Sequence, residues 1–331
     1  MADLPVFKLH LDAVATVEDD QESLFPHTPR LDDRCFESKV DETLVVECVR
    51  PGSCTLIAGS PERDFVHRRC AVLGHASNQR KELLMAHSWF QCAYACKGNL
   101  TELLSSTNMR LNLGQWHLAE SLYEYILKNE EVTPDQRALT ERKRTEAVGR
   151  ISGGAASAVR HTADEEVSEL LAAPQAYAGE AEKPFPPEEE KRLLGLLRSC
   201  GHAANRAGDF EASHTWFDCC YALSGFSADL LSAANMRAKL IPTSGVALAL
   251  YTHILSLKDG PNAPPQNQLE MAEAKKAALE AAREKGFDPS NNAAKTGTSR
   301  DYSASSSSAL SAVSQMSYSK VYDSNSDVPL M

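Results

Sequence analysis

The chain has 331 residues, of which 43% are apolar, and 45 acidic side chains outnumber 34 basic ones to give a formal net charge of −11. This length allows about two folded units of ~150 residues each and excludes a single small domain. The acidic balance argues against DNA or RNA as a partner, because phosphate binding depends on clustered Lys and Arg.

No targeting segment is recognisable in the sequence. The N-terminus, MADLPVFKLHLD, lacks a basic start followed by an apolar run. No segment reaches the ~18 apolar residues that crossing a bilayer requires. The nine cysteines are an odd number in a long chain, for which reduced thiols are the expectation. We therefore expect a cytoplasmic protein that does not insert into a membrane.

The first sixty residues differ from the rest and form an N-terminal extension, residues 1–60. Residues 43–50 and 54–57 are rich in Val, Leu, Ile and Thr and flank Pro51-Gly52, a pattern that predicts a small β-hairpin. Two strands alone are marginally stable, so this hairpin would need to pack on helices.

An internal duplication dominates the remainder. Residues 74–113 match residues 201–240 at 18 of 40 positions, without a gap and at an offset of 127. The matches include GHA, WFxCxYA, LLS and NMR. A shorter period divides each copy, since Gly201 and Phe217 are followed 34 residues later by Asn235 and Tyr251. The chain therefore contains two modules, residues 61–150 and 188–286, each made of two helical hairpins.

Helix signals support this division. Ser60-Pro61-Glu62 predicts a capped helix start, and Pro186-Pro187 with three glutamates starts the matching helix. Charged helices at about 134–150 and 266–285 would close each module with a polar outer face. Residues 151–187 are predicted to be a flexible linker with a short helix at 163–172, and the Ser-rich tail, residues 287–331, is predicted to be disordered.

The second module carries a resemblance to a known family. The stretch LLRSCGHAANRAGDFEASHTWFDCCYALSG resembles the helix-turn-helix of tetratricopeptide-repeat proteins, with a GDFEA turn and small and aromatic residues at Ser213, Phe217 and Cys220. The similarity covers about residues 66–150 and 188–285. It implies an all-α fold of hairpin repeats, an α-solenoid, which acts as a protein-binding scaffold through the first helix of each hairpin.

The resemblance also implies where partners would bind. Groove-facing positions that could bind a partner are Arg68, His75, Asn78, Met109, Arg198, His202, Asn205 and Met236. His75 with His202, Asn78 with Asn205 and Met109 with Met236 are the same residue in both modules, which hints at a shared ligand mode. The alternative is that they bond neighbouring groups or fill gaps, or that the copies have not yet diverged. The paired tryptophans, Trp89 and Trp216, are predicted to be core residues.

Signals of catalysis are missing. Phosphate-binding glycine loops, HExxH and GxSxG do not occur, although a hidden pair such as Cys219 with His214 stays open. Cys92 and Cys96 lack the spacing of a zinc site, so we expect neither a metal nor a cofactor. The leading prediction is a non-enzymatic adaptor that binds proteins or peptides. The alternatives are a structural subunit of a larger assembly, an RNA-binding repeat and an enzyme.

Overall fold

A computed structural model describes residues 54–128, 132–153, 163–179, 184–241, 244–260 and 263–284. Within these ranges the chain is helical and has no strand, which agrees with the predicted all-α class. The helices are, in chain order, α1 (Pro61–Gln79), α2 (Leu83–Lys97), α3 (Leu100–Asn112), α4 (Trp116–Lys128), α5 (Pro134–Ser152), α6 (Ala163–Ala178), α7 (Pro187–Ala207), α8 (Phe210–Ser224), α9 (Ser227–Leu240), α10 (Gly245–Ser256) and α11 (Gln266–Glu284).

The predicted β-hairpin lies mostly outside the described residues, which begin at Cys54, and residues 54–60 form no strand. The Ser-rich tail, residues 287–331, also lies outside them.

Local sequence accounts for the helix ends. The Ser60 hydroxyl accepts a hydrogen bond from the Arg63 amide at 3.2 Å and starts α1. Thr133 and Gln136 form a reciprocal capping box at the start of α5. Gly98 and Gly225, at equivalent positions, end α2 and α8 with φ of 67° and 64°, a conformation that favours glycine. The duplicated glycine therefore marks the same turn in each module.

Each module is a series of neighbouring helices that pack in sequence, α1 to α5 and α7 to α11. A tight contact repeats in both copies: a Cβ at Gly74 would lie 2.8 Å from the ring of Phe90, and one at Gly201 would lie 3.1 Å from the ring of Phe217. The conserved Gly and Phe of the two copies therefore form one packing unit, in which only a glycine lets the ring approach the helix.

The two modules meet through their first hairpins. Helix α1 packs on α7 and α2 packs on α8, so equivalent helices face each other. The Sγ atoms of Cys92 and Cys219 are 3.7 Å apart and belong to residues separated by the 127-residue offset. The equivalent glutamates Glu62 and Glu189 each pair with an arginine of the other module. This is the geometry of a two-fold interface, in which one surface is used twice.

The segment between the modules differs from the predicted flexible linker. Helix α6 extends to Ala178, beyond the expected end near residue 172, and packs on α2, α8 and α10. Leu170 and Tyr177 are buried in the same hydrophobic core as both tryptophans. The sequence analysis missed this because α6 buries only a narrow apolar stripe, whose partners lie far away in the chain. Residues 154–162 and 180–183 are outside the described part.

Candidate partner-binding surface

Side-chain contacts link the two first helices of the hairpins within each module. In module one, the His67 ring on α1 lies 3.2 Å from a carboxylate oxygen of Glu102 on α3. In module two, Arg198 on α7 makes two bonds to Asp229 on α9, at 2.9 and 2.7 Å. Glu102 and Asp229 are equivalent residues, so each module ties its two first helices together through the same acidic position. We call the helices α3, α1, α7 and α9, with α5 and α11 beside them, the first-helix layer.

Two of the predicted binding residues pack on a neighbouring ring. His75 and His202 meet the rings of Phe90 and Phe217 edge-on, with ring centroids 5.1 Å apart in both modules. Burial lowers the pKa of each imidazole, so both are neutral at pH 7. Packing against the aromatic ring is thus one reason for the duplicated histidine, and His75 also remains exposed to solvent.

The two asparagines have different surroundings. In module two, Asn205 accepts a hydrogen bond from Lys239 at 2.8 Å. The equivalent residues of module one are Asn78 and Asn112, so an asparagine replaces the lysine there. Arg68 is exposed on α1, whereas Arg198 is engaged by Asp229. The polar residues of the predicted set therefore lie on the first-helix layer, but equivalent residues make different contacts in the two modules.

The two methionines of the predicted set lie beneath this surface. Met109 is 4% exposed and packs with Ala86 and Phe90, and Met236 is 1% exposed. Both fill gaps in the core, which was the competing interpretation of the duplicated methionine. They do not contribute to the exposed surface in this arrangement.

Neighbours of the methionines in the NMR motif carry structural hydrogen bonds that the sequence analysis did not assign. The Tyr123 hydroxyl donates to Asn108 at 2.8 Å, and the Tyr251 hydroxyl donates to Asn235 at 2.7 Å. These are equivalent pairs, and both tyrosines are fully buried. The signal was present in the sequence as an Asn and a Tyr retained in both copies at nearly the same spacing.

The arginines of the same motif differ between the copies. Arg237 is buried and makes two bonds of 2.7 Å to the buried carboxylate of Asp218, and it also reaches Glu166 on α6 at 3.2 Å. Arg110, its counterpart, is also buried and donates to the neutral amide of Gln115 at 2.9 Å. Arg110 therefore bonds an amide where Arg237 bonds a carboxylate, and the positive charge of Arg110 also acts on Glu211 of α8.

His214 belongs to this ionic cluster. Its ring lies 3.3 Å from Asp218 and 3.7 Å from Glu211. Burial and the Arg237 charge act to lower the pKa of His214, but the two carboxylates outweigh them and raise it to about 9. Burial acts to raise the pKa of Asp218, and the Arg237 charge with the bonds to His214 and Arg237 lowers it instead. The cluster therefore holds its charges paired within the protein.

The geometry does not favour a pair between Cys219 and His214, because each side chain faces another partner. His214 is engaged by carboxylates, whereas the Cys219 thiol faces Cys92. Burial raises the pKa of Cys219 to about 12, so the thiol is protonated at neutral pH. Among the described residues, no group of three or more His, Cys, Asp or Glu side chains is arranged to hold a metal ion. No helix in the described ranges is both long and apolar enough to cross a bilayer.

Lys239 on α9 and Lys275 on α11 belong to helices of the first-helix layer of module two, and both are half-buried. Comparison of the chain with protein-family models, with curated proteins and with solved structures finds no match in any of the three.

Proposed function

We propose that this protein is a non-enzymatic adaptor or scaffold that binds peptides or helices of partner proteins through the first-helix layer. The observation that carries the proposal is the contact between the two modules through α1 and α7, which brings the leading first helix of each module next to the other. Helical repeats commonly present such a surface to extended or helical ligands.

The charge and burial of this layer support the proposal. Its exposed or half-exposed polar groups include Arg68, His75, Asn78, His202 and Asn205. The second helices, by contrast, are largely occupied, because α2 and α8 pack on each other and α6 covers parts of α2, α8 and α10. The first-helix layer therefore retains polar side chains that other helices leave exposed or half-exposed.

Two binding surfaces in one chain would also raise affinity. Once one module holds a partner, the second contact becomes intramolecular and benefits from a high effective concentration. Because α6 and the paired first hairpins fix the modules side by side, both surfaces would engage one elongated partner or two neighbouring ones.

The test compares matched histidine variants. Partners crosslinked to the full chain in native extract are identified and purified, and their affinity is measured for His75→Ala with His202→Ala and for His117→Ala with His253→Ala. The second pair lies on second helices α4 and α10. We expect the first-helix pair to weaken binding at least about fivefold and the control pair to leave it unchanged, with equal helicity by circular dichroism.

Two results would overturn the adaptor. One is equal binding by both variant pairs. The other is a fixed high-mass assembly that neither pair disturbs, which is the behaviour of a structural subunit.

A further inference from the structure

Glu102 lies at the junction of the two first helices of module one. It belongs to the first turn of α3 and is 8% exposed. One carboxylate oxygen, Oε1, lies 3.2 Å from Nε2 of His67 on α1. The other oxygen, Oε2, is buried and has no hydrogen-bond donor among the described residues. A buried carboxylate oxygen without a donor costs free energy, so a group that supplies an N–H to Oε2 lowers that cost.

His67 completes only part of this carboxylate. An imidazole ring directs its two nitrogens away from each other, so one ring supplies a single N–H to a carboxylate. The other ring nitrogen, Nδ1, is also buried without a hydrogen-bond partner among the described residues. The contact between His67 and Glu102 therefore has two buried polar atoms that no other described side chain satisfies.

Module two completes the same carboxylate with an arginine. Asp229, the residue equivalent to Glu102, accepts from Nε and Nη2 of Arg198 at 2.9 and 2.7 Å. The Ser224 hydroxyl also donates to Asp229, at 2.7 Å. Both oxygens of Asp229 therefore have donors, and one guanidinium reaches both of them.

Module one has different residues at the places of these donors. At the offset of 127 residues, Arg198 corresponds to Ala71 and Ser224 corresponds to Lys97. The Lys97 ammonium lies 3.0 Å from a carboxylate oxygen of Asp64. Both modules have the acidic position, but only module two supplies the guanidinium from its own helix.

The place that corresponds to the Arg198 guanidinium lies at the surface. In module two the Arg198 side chain is 23% exposed. In module one Ala71 is half-buried, and the nearby residues Val72 and His75 of α1 are exposed. A side chain of a second protein can therefore approach Glu102 past a small residue of α1.

The chemistry of the site favours an arginine over a lysine. A guanidinium carries five N–H donors in a planar fork and bonds a carboxylate through two parallel bonds, as Arg198 does to Asp229. An ammonium acts as a point charge and does not form this fork. The net charge of −11 also attracts basic segments at long range.

We propose that Glu102 and His67 form a binding site for an arginine side chain of a partner protein, which takes the place that Arg198 holds in module two. This inference rests on the proposed adaptor function and names the chemistry of its partner, a basic segment with an exposed arginine. It places this contact in module one, because in module two a residue of the same chain occupies the acidic position.

Fluorescence anisotropy with the full chain, in about 0.15 M salt, tests the site. The probe is a labelled peptide of about eight residues that alternates Arg and Ser, compared with versions that carry citrulline or Lys in place of Arg. We expect saturable binding of the Arg peptide. Binding should be at least about tenfold weaker for the neutral citrulline peptide and about threefold weaker for the Lys peptide. Equal affinity for Arg and Lys would mean general electrostatic attraction and would overturn the proposal.

Two substitutions remove the site in different ways. Glu102→Gln keeps the shape of the side chain and removes its charge, so it should weaken binding of the Arg peptide at least about tenfold. Ala71→Arg supplies a guanidinium from α1, as Arg198 does from α7, and should weaken binding by a similar factor because it occupies Glu102. Its melting temperature should be unchanged or raised, because the new arginine pairs with Glu102. A lowered melting temperature would show that no guanidinium fits beside Glu102, contrary to the proposal.

Two further variants are matched controls for charge. Glu141→Gln removes an exposed carboxylate from α5 of the same module, and Ser199→Arg adds a positive charge at an exposed position of α7. Each should change the affinity for the Arg peptide by less than about twofold. Losses as large as those of Glu102→Gln and Ala71→Arg would show that the peptide responds only to the net charge of the protein, which also overturns the proposal.

The histidine variants of the adaptor test separate the two proposals. If the Arg peptide fails to bind while His75→Ala with His202→Ala still loses its partners, the arginine site is wrong and the adaptor proposal stands. If Glu102→Gln loses the Arg peptide while the histidine variant keeps its partners, the arginine site stands and the first-helix histidines are not part of the partner surface.

Discussion

The two modules carry the same apolar framework but different polar chemistry. Gly74 and Gly201 meet the same phenylalanine, whereas Gln91 is replaced by Asp218 and Asn112 by Lys239 at equivalent positions. Apolar contacts tolerate little change, because a core packed to crystal density responds to single methylene groups. A polar position can gain a charge when a neighbouring residue of opposite charge offsets it, as Arg237 does for Asp218. The comparison indicates that the packing residues stayed the same after the duplication, whereas the charged residues diverged.

The largest expected effect comes from breaking the ion pair of Arg237 with Asp218 in module two. Arg237→Met should lower the free energy of unfolding by about 3–5 kcal/mol, because it takes the guanidinium away from the buried Asp218 and from Glu166 and leaves His214 to offset the Asp218 charge. Arg110→Met should cost about 2 kcal/mol, because it removes the bond to the Gln115 amide and the attraction of the Arg110 charge for Glu211. Urea unfolding of both variants measures the difference.

The double variant Arg237→Met with Asp218→Asn is the control for this interpretation. It should recover part of the lost stability, because the most deeply buried carboxylate of the cluster is then neutral. Equal losses for the two single arginine variants would show that the charge difference between the modules has no energetic consequence.

A second difference concerns how the second helices begin. Asp209 caps α8 from its own turn, whereas Glu82, its counterpart, makes no side-chain cap on α2. Instead Glu169 on α6 accepts the Met85 amide at 2.8 Å. Burial raises the pKa of Glu169 to about 7, from the ordinary 4.5. The folded state therefore holds this proton more tightly than the unfolded state, and the contribution of Glu169 to stability falls as pH rises from about 4.5 to 7.

Glu169→Gln tests this sign, because it keeps the acceptor and removes the titration. The measured quantity is the difference in free energy of unfolding, unsubstituted protein minus variant, in urea titrations. This difference should fall by about 1–3 kcal/mol between pH 4.5 and pH 7.5. At pH 7.5 the variant should lose no stability, whereas Asp209→Ala should cost about 1 kcal/mol through its lost cap. A difference that rises with pH would contradict the assigned direction.

The smallest expected effect tests what the modules share. Tyr123→Phe and Tyr251→Phe each remove a buried hydrogen bond to an equivalent asparagine. Each should cost about 1 kcal/mol, and the two losses should agree within ~0.5 kcal/mol, because the bonds have nearly the same length. Chemical denaturation of the two variants is the measurement. A loss confined to one module would mean that the apparent equivalence does not extend to energetics.

Part of the candidate surface followed from the sequence. The identity of His75 with His202 and of Asn78 with Asn205 pointed to the first helices, and the structure places these polar residues there. The methionines were misleading as surface residues, because a Met retained for gap filling gives the same pattern as one retained for binding.

The sequence by itself determined the helices, their hairpin order and the aromatic core of each module, because periodicity, caps and turns are local properties of the chain. Only the tertiary structure decided that the modules meet through equivalent faces at Cys92 and Cys219, that α6 packs into the core, and that Arg237 reaches Glu166 across 71 residues of sequence. These contacts join helices that are distant in the chain, and their free energy depends on relative positions that no local pattern encodes.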